Sequence, residues 1–103
     1  MPIATKMTRR DAQKLLANVP EEYVFWSCDG RILRNMKELG EALNSMTQET
    51  YAYHSNTEKN DFSNWVRDII GDKKLAEDLL RLQDRVAAAK AVSERIAFLR
   101  KKA

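Results

Sequence analysis

The sequence predicts an α+β fold that is predominantly α-helical, with four to five helices, one short β-hairpin at about 23–34 and a long C-terminal helix at about 73–101. Apolar residues recur at helical spacing through most of the chain. A single aromatic and β-branched stretch is followed by the turn pair Asp29-Gly30, as in a hairpin. The 103 residues, 44% hydrophobic and 32% charged, fit one small globular domain, 1–103.

A first helix is predicted directly after Thr8, whose side chain is suited to a helix N-cap. Asp11 follows three residues later, and this supports the same start. The helix should end near Asn18, because Pro20 cannot continue it. Residues 1–7 are expected to be flexible.

The predicted hairpin is built around Asp29-Gly30, a pair that favours a two-residue turn between antiparallel strands. The chain's single cysteine, Cys28, is then interpreted as a partly buried strand residue. Two strands alone are marginally stable in water, so the hairpin must lay one side against helices or pair with another copy.

A second helix is predicted after Asn35, because Glu38 lies three residues later, as in a capping box. Its apolar side is formed by Met36, Leu39, Leu43 and Met46. A short third helix is predicted from Thr47, ending near His54, and the polar run after it is interpreted as a loop.

The next helix has clear start and stop signals. Asn60 can cap it, and Asp61 lies against the positive end of its dipole. Gly71 should end the helix, and Asp72 offers the N-cap of the helix that follows. Its apolar side consists of Phe62, Trp65, Val66 and Ile69, which predicts that these residues belong to the core.

No glycine or proline occurs from Lys73 to about Lys101, which predicts one long helix. Its length would be about 44 Å, whereas a compact domain of this size has a diameter of roughly 33 Å. The tail at 85–103 must therefore project, bend back or pack against a partner. Its apolar stripe consists of Leu75, Leu79, Leu82, Val86, Ala89, Val92, Ile96 and Leu99, with one step out of heptad phase.

Residues 19–80 contain a set of features that occur together elsewhere: the aromatic strand before Asp29-Gly30, Leu39, Tyr53-His54, the run KNDFSNWVRDIIGD and Leu75-Ala76. In these features the chain resembles a family of archaeal and bacterial modules of unknown function. The KNDFSNWVRDIIGD run is the most specific part. The resemblance implies a small, mostly helical fold and brings no activity or ligand with it.

The net charge of +3 hides an uneven distribution. Residues 1–14 carry four basic and one acidic side chain, and residues 85–103 carry six basic and one acidic. The centre has eight basic and thirteen acidic residues. Such asymmetry is typical of contact with nucleic acid, anionic lipid or an acidic protein surface, and it equally fits complementarity within the chain.

Residues suited to catalysis are few. His54 with Asp61 and Asp29 is conceivable as an acid-base or metal-binding set. The spacing of a zinc site is absent, however, as are phosphate-binding glycine loops. The acidic and amide residues around His54 are also needed as helix caps. We therefore expect neither an enzyme nor a metal or other cofactor, and interpret His54 as a structural residue with a smaller chance of a partner contact.

The favoured function is a non-catalytic protein-interaction or assembly module that forms a homodimer through its C-terminal helix. The alternative for that helix is a tail folded back on the acidic body through a kink near 87–89. The predicted partner contacts are His54, Val92, Ile96, Phe98 and Leu99. The structural motif comprises Asn60, Asp61, Phe62, Trp65, Gly71 and Asp72.

The alternative function is nucleic-acid binding through the two basic ends. Its predicted contacts are Arg9, Arg10, Lys90, Arg95, Arg100, Lys101 and Lys102. The chain has no apolar run of membrane-spanning length and no secretory-type apolar segment near its start, so no membrane contact and a cytoplasmic location are expected.

Overall fold

Helices and one hairpin account for most of the chain in a computed structural model, which describes residues 7–82 and 84–103. The described elements are α1 (Arg9–Leu16), β1 (Phe25–Trp26), β2 (Ile32–Leu33), α2 (Met36–Ser45), α3 (Gln48–His54), α4 (Asp61–Trp65), α5 (Lys73–Arg81) and α6 (Arg85–Lys102). A 3₁₀ turn, Glu21–Tyr23, precedes β1, and α4 continues into a π turn, Val66–Ile70. The predicted fold class is confirmed. The flexibility predicted for 1–7 concerns residues outside the described ones except for Met7, which packs against the core.

Polar N-caps set the starts of the six helices in the described part of the chain. In each case a side-chain oxygen accepts a hydrogen bond from a backbone N–H three residues further on. The caps are Thr8, Asn35, Thr47, Asn60, Asp72 and Asp84. The predicted cap roles of Asn60 and Asp72 are therefore confirmed, and Gly71 ends the α4 segment with φ of 93°.

The hairpin loop is one residue longer than predicted. Phe25 lies opposite Leu33 in the antiparallel pair. The Ser27 N–H donates to the Arg31 carbonyl at 2.9 Å, which leaves three residues in the loop. Gly30 has φ of 96°, the left-handed conformation that closes a three-residue loop with a bulge.

Cys28 consequently lies in this loop and is exposed. Its predicted placement as a partly buried strand residue is wrong, because the additional loop residue moves it out of the ladder.

Four aromatic rings form the centre of the core beneath the hairpin. Phe25 stacks on Phe62 at 5.3 Å and meets Trp65 edge-on at 5.7 Å between ring centroids. Tyr51 also stacks on Phe62, at 5.7 Å between ring centroids. The Trp65 indole N–H donates to the Tyr23 carbonyl at 2.8 Å, which ties α4 to the chain entering β1. The prediction that Phe62 and Trp65 are core residues is confirmed.

The predicted single helix at 73–101 is wrong, because α5 ends at Arg81 and α6 begins at Arg85. Leu82 has extended backbone, with φ of −91° and ψ of 124°. Two long-range hydrogen bonds connect the break to the rest of the fold. The Tyr51 hydroxyl donates to the Leu82 carbonyl at 3.3 Å, and the Arg85 guanidinium donates to the Leu43 carbonyl at 2.7 Å.

This break lets α6 pack along α2 and α1, so the tail folds back on its own domain. Val92 and Leu99 are completely buried, and Ile96 is 9% exposed. Gly40 permits the close approach, since a Cβ there would lie 3.2 Å from the Val92 side chain. The projecting tail is therefore a wrong prediction. The fold-back alternative is correct, with its bend between α5 and α6 rather than at 87–89.

Candidate functional site

His54 is held between the hairpin loop and the start of α4. Its Nε2 accepts a hydrogen bond from the Cys28 backbone N–H at 3.0 Å. Its Nδ1 lies 2.9 Å from the Asp61 carboxylate. Because Nε2 must accept, the proton of the neutral ring is on Nδ1 and is donated to Asp61. Both ring nitrogens are therefore used within the chain.

The surroundings of His54 are a packed core rather than an open cleft. The residue is 5% exposed and lies edge-on to Phe25 at 5.1 Å between ring centroids. Asp61, its partner, also forms an ion pair with Lys59 at 3.1 Å. Such a buried ring offers no surface to a partner, and the predicted contact role of His54 finds no support in its position.

The amide and hydroxyl groups beside His54 are satisfied within the chain in the same way. Asn60 accepts from the Ser63 N–H at 3.0 Å and donates to the Leu79 carbonyl at 3.0 Å. The Ser63 hydroxyl donates to the Ala76 carbonyl at 2.7 Å. These bonds fasten α4 to α5. We call the buried His54, Asn60 and Ser63, together with the half-buried Asp61, the buried polar cluster.

Asp29 binds at the hairpin turn instead of completing a set with His54. Its carboxylate accepts from the Arg31 N–H at 3.2 Å and lies 3.3 Å from the Arg31 guanidinium. Burial raises the pKa of Asp29, but hydrogen bonding within the turn and the Arg31 charge outweigh it, so the pKa lies below its ordinary value. Within 7–82 and 84–103, no group of three His, Cys, Asp or Glu side chains is placed to hold a metal ion.

Asp72 and Arg95 form a buried, two-pronged ion pair between α5 and α6. The Arg95 guanidinium donates to both carboxylate oxygens, at 2.7 and 3.0 Å. The Asp72 side chain is 1% exposed and also caps α5 by accepting from the Leu75 N–H at 3.1 Å. Arg95 is therefore engaged within the fold, unlike the other predicted phosphate contacts.

The predicted nucleic-acid contacts other than Arg95 are exposed basic residues. Lys14 is a further exposed basic residue that the sequence prediction did not include. Lys14 lies one helical turn after Arg10 on α1. This spacing of four residues places the two side chains on one side of the helix and could have identified Lys14 from the sequence. Among the residues that the structure describes, none of this set forms an ion pair. We define the basic surface as Arg9, Arg10, Lys14, Lys90, Arg100, Lys101 and Lys102.

Tertiary packing brings the two basic ends of the sequence onto neighbouring helices. Helix α1 packs against α6. The Asn35 amide donates to the Asn18 side chain at 2.7 Å, placing the end of α1 beside the start of α2. Lys37 near the start of α2 and Arg100 near the end of α6 line one groove. The end of α1 and the end of α6 therefore both lie near the start of α2, whereas Arg9 and Arg10 lie at the start of α1.

Large apolar side chains are exposed mainly outside the two helices that carry the basic surface. Trp26 is 69% exposed on the outer side of the hairpin. Phe98, a predicted partner contact, is 41% exposed on α6, with the Arg95 guanidinium 5.1 Å and the Lys102 ammonium 5.6 Å from its ring centroid. The other predicted apolar contacts, Val92, Ile96 and Leu99, are inside the core.

A shallow groove of about 440 Å³ runs between α5 and α6. It is lined by Lys74, Asp78, Arg81, Leu82, Ala91, Glu94, Arg95 and Phe98. Lys74 and Asp78 bind each other at 2.7 Å, and Arg95 binds Asp72, so these polar groups do not converge on a common point in the groove.

The comparisons with known proteins return no match: none among family models, none among curated proteins and none among solved structures. In the part of the chain that is described, no helix combines the length and the apolar character needed to cross a membrane.

Proposed function

We propose that this chain is a non-catalytic interaction module that contacts an acidic partner through the basic surface. The observation that carries the proposal is the contrast in pairing among exposed cations. Of the eight exposed basic residues elsewhere in the described chain, six lie near a carboxylate: Arg31, Arg34, Lys37, Lys59, Arg67 and Lys74. The other two, Lys73 and Arg81 on α5, form no ion pair among the described residues. The seven cations of the basic surface have no such partner among the described residues and are available to an external anion.

The absence of catalysis in this proposal is supported by how the chain uses its reactive groups. His54 donates to Asp61 and accepts from the Cys28 N–H, so neither ring nitrogen faces a substrate. A general base must reach the proton it removes, and a buried, doubly bonded ring cannot do this without local opening.

Self-association through the apolar stripe of α6 loses its physical basis in this fold. The stripe needed cover, and α2 of the same chain supplies it. We expect the full-length chain to be monomeric by sedimentation equilibrium at high micromolar concentration. The experiment requires the full chain, because a version ending at Arg85 would expose the core surface that Val92 and Leu99 cover.

The interaction surface is tested with two triple variants of equal net charge. Arg100→Gln, Lys101→Gln and Lys102→Gln remove three cations of the basic surface, whereas Lys59→Gln, Arg67→Gln and Lys74→Gln remove three paired ones. We expect the first variant to elute from a heparin column at clearly lower salt than the second. Equal elution would mean that only net charge matters and would contradict the proposed surface.

Folding of both variants is checked in parallel by chemical denaturation. Glutamine has a helix propensity close to that of lysine and arginine. Exposed ion pairs and charges at a helix end contribute about 1 kcal/mol or less each. Both variants should therefore remain folded, so a difference in elution reports the surface.

A further inference from the structure

We infer that the basic surface binds the phosphate backbone of duplex nucleic acid. This rests on the proposed function and names its partner class. The surface carries seven exposed cations on two helices that pack together, and the acidic residues of those helices are only Asp11 and Glu94. Duplex DNA carries one negative charge per about 1.7 Å along its axis, so neighbouring cations on α1 and α6 can each meet a phosphate.

An acidic protein fits this surface less well than nucleic acid. The centre of a protein-protein interface is usually apolar and aromatic, with charges at the rim. Here the exposed side of α6 carries Lys90, Ser93, Glu94 and Ala97 between the two larger apolar residues, Val86 and Phe98. Interfaces with nucleic acid are more polar and more positively charged, and that is the character of this surface.

A membrane surface is also disfavoured. A helix that lies in a lipid interface inserts an exposed apolar face between the headgroups. The apolar side of α6 is occupied, because Val92, Ile96 and Leu99 are buried inside the domain. The cations that remain could only adsorb to lipid through charge.

Duplex is favoured over single strands by the position of the aromatic residues. Proteins that bind single strands stack bases on exposed aromatic rings within a basic groove. The exposed rings of Tyr23, Trp26 and Tyr53 belong to the hairpin region and α3, not to α1 or α6. Phe98 is the exposed ring on α6, and Arg95 and Lys102 already lie over it. The basic surface therefore offers charge to a backbone and no free platform to a base.

The test is fluorescence anisotropy of the full-length chain with a short labelled DNA duplex of mixed sequence, titrated over a range of salt concentrations. With seven contacts, the slope of log affinity against log salt approaches about −6. Affinity then falls on the order of a thousand-fold or more between about 50 and 200 mM salt. The triple variant at Arg100, Lys101 and Lys102 should flatten the slope by up to about 2.7, whereas the triple variant at Lys59, Arg67 and Lys74 should leave it unchanged.

Binding is also measured to the matching single strand, to an RNA duplex, to polyglutamate and to vesicles containing phosphatidylserine. Binding to both duplexes above the single strand supports the inference. A single strand that binds more tightly than its duplex overturns the duplex assignment. Retention of polyglutamate or vesicles without duplex binding overturns the nucleic-acid inference and leaves an acidic partner in place. A chain that binds none of these and elutes early from heparin overturns the proposed function as well.

Discussion

The buried polar cluster and the basic surface use polar side chains in opposite ways. In the cluster, His54, Asn60, Asp61 and Ser63 bond to groups of their own chain, and together they connect the hairpin loop, α4 and α5. On the basic surface, the cations extend into solvent from α1 and α6. The residues that look most like a catalytic site are therefore hydrogen-bonded within the fold, whereas α1 and α6 carry exposed cations without an ion-pair partner among the described residues.

This difference follows from the cost of burial. A polar group removed from water must find a hydrogen-bond partner inside the protein, and leaving it unpaired costs about 1 to 3 kcal/mol. The buried His54, Asn60 and Ser63 are therefore matched within the chain and become unavailable to a ligand. An exposed lysine or arginine is solvated by water and keeps its charge available.

The largest expected effect comes from breaking the core that supports the buried polar cluster. Trp65→Ala should lower the free energy of unfolding by about 3 to 5 kcal/mol, because it leaves a cavity beside Phe25 and frees the Tyr23 carbonyl. Trp26→Ala is the matched control, because that side chain is 69% exposed. Urea unfolding measures both. A Trp65→Ala protein as stable as the control would place Trp65 on the surface.

The ion pair between α5 and α6 gives the next largest effect. Asp72→Ala should cost about 3 kcal/mol or more, since it leaves Arg95 buried without its carboxylate and removes the cap of α5. Asp68→Ala removes an exposed carboxylate paired with Arg67 and should change the stability far less than Asp72→Ala, because water screens that pair. Thermal unfolding compares the two. Similar losses would mean that Asp72 is solvated.

A substitution at Gly40 tests whether α6 lies on α2 in solution. If it does, Gly40→Leu forces its side chain against Val92 and should destabilise the protein by about 1 to 3 kcal/mol. If the tail instead projects, the same substitution improves helix propensity and should stabilise α2 by about 1 kcal/mol. Glu41→Leu, on the exposed side of α2, controls for added apolar surface. The sign of the change decides between the two arrangements.

An effect of a size similar to that at Gly40 is expected at His54. His54→Ala should cost about 1 to 3 kcal/mol, less than Trp65→Ala, because the Cys28 N–H and Asp61 lose a partner while the aromatic core remains. Tyr53→Ala, at an exposed neighbour, is the control. In the native protein, nitrogen NMR should find the neutral ring protonated at Nδ1. Protonation at Nε2 would contradict the bond from Cys28.

The candidate site was only partly accessible from sequence. Charge counting found the two basic ends, because charge is a local property of the residues. It included Arg95 among the free cations, since its partner Asp72 lies 23 residues away and only packing joins them. The stripe of Val92, Ile96 and Leu99 was recognised as needing cover, but the pattern is the same whether the cover is another copy or α2.

The starts of α1 to α5, the existence of the hairpin and the aromatic core could be predicted from sequence, because N-caps, turn residues and apolar periodicity act over a few neighbouring residues. Tertiary structure decided where the predicted long helix breaks and what covers its apolar side. No glycine or proline in the sequence marks the break between α5 and α6. The Tyr51 hydroxyl binds the Leu82 carbonyl and the Arg85 guanidinium binds the Leu43 carbonyl, both far away in sequence, and Gly40 admits Val92. Packing of α6 into that space buries more apolar surface than a straight, solvated helix would, and this gain favours the folded-back tail.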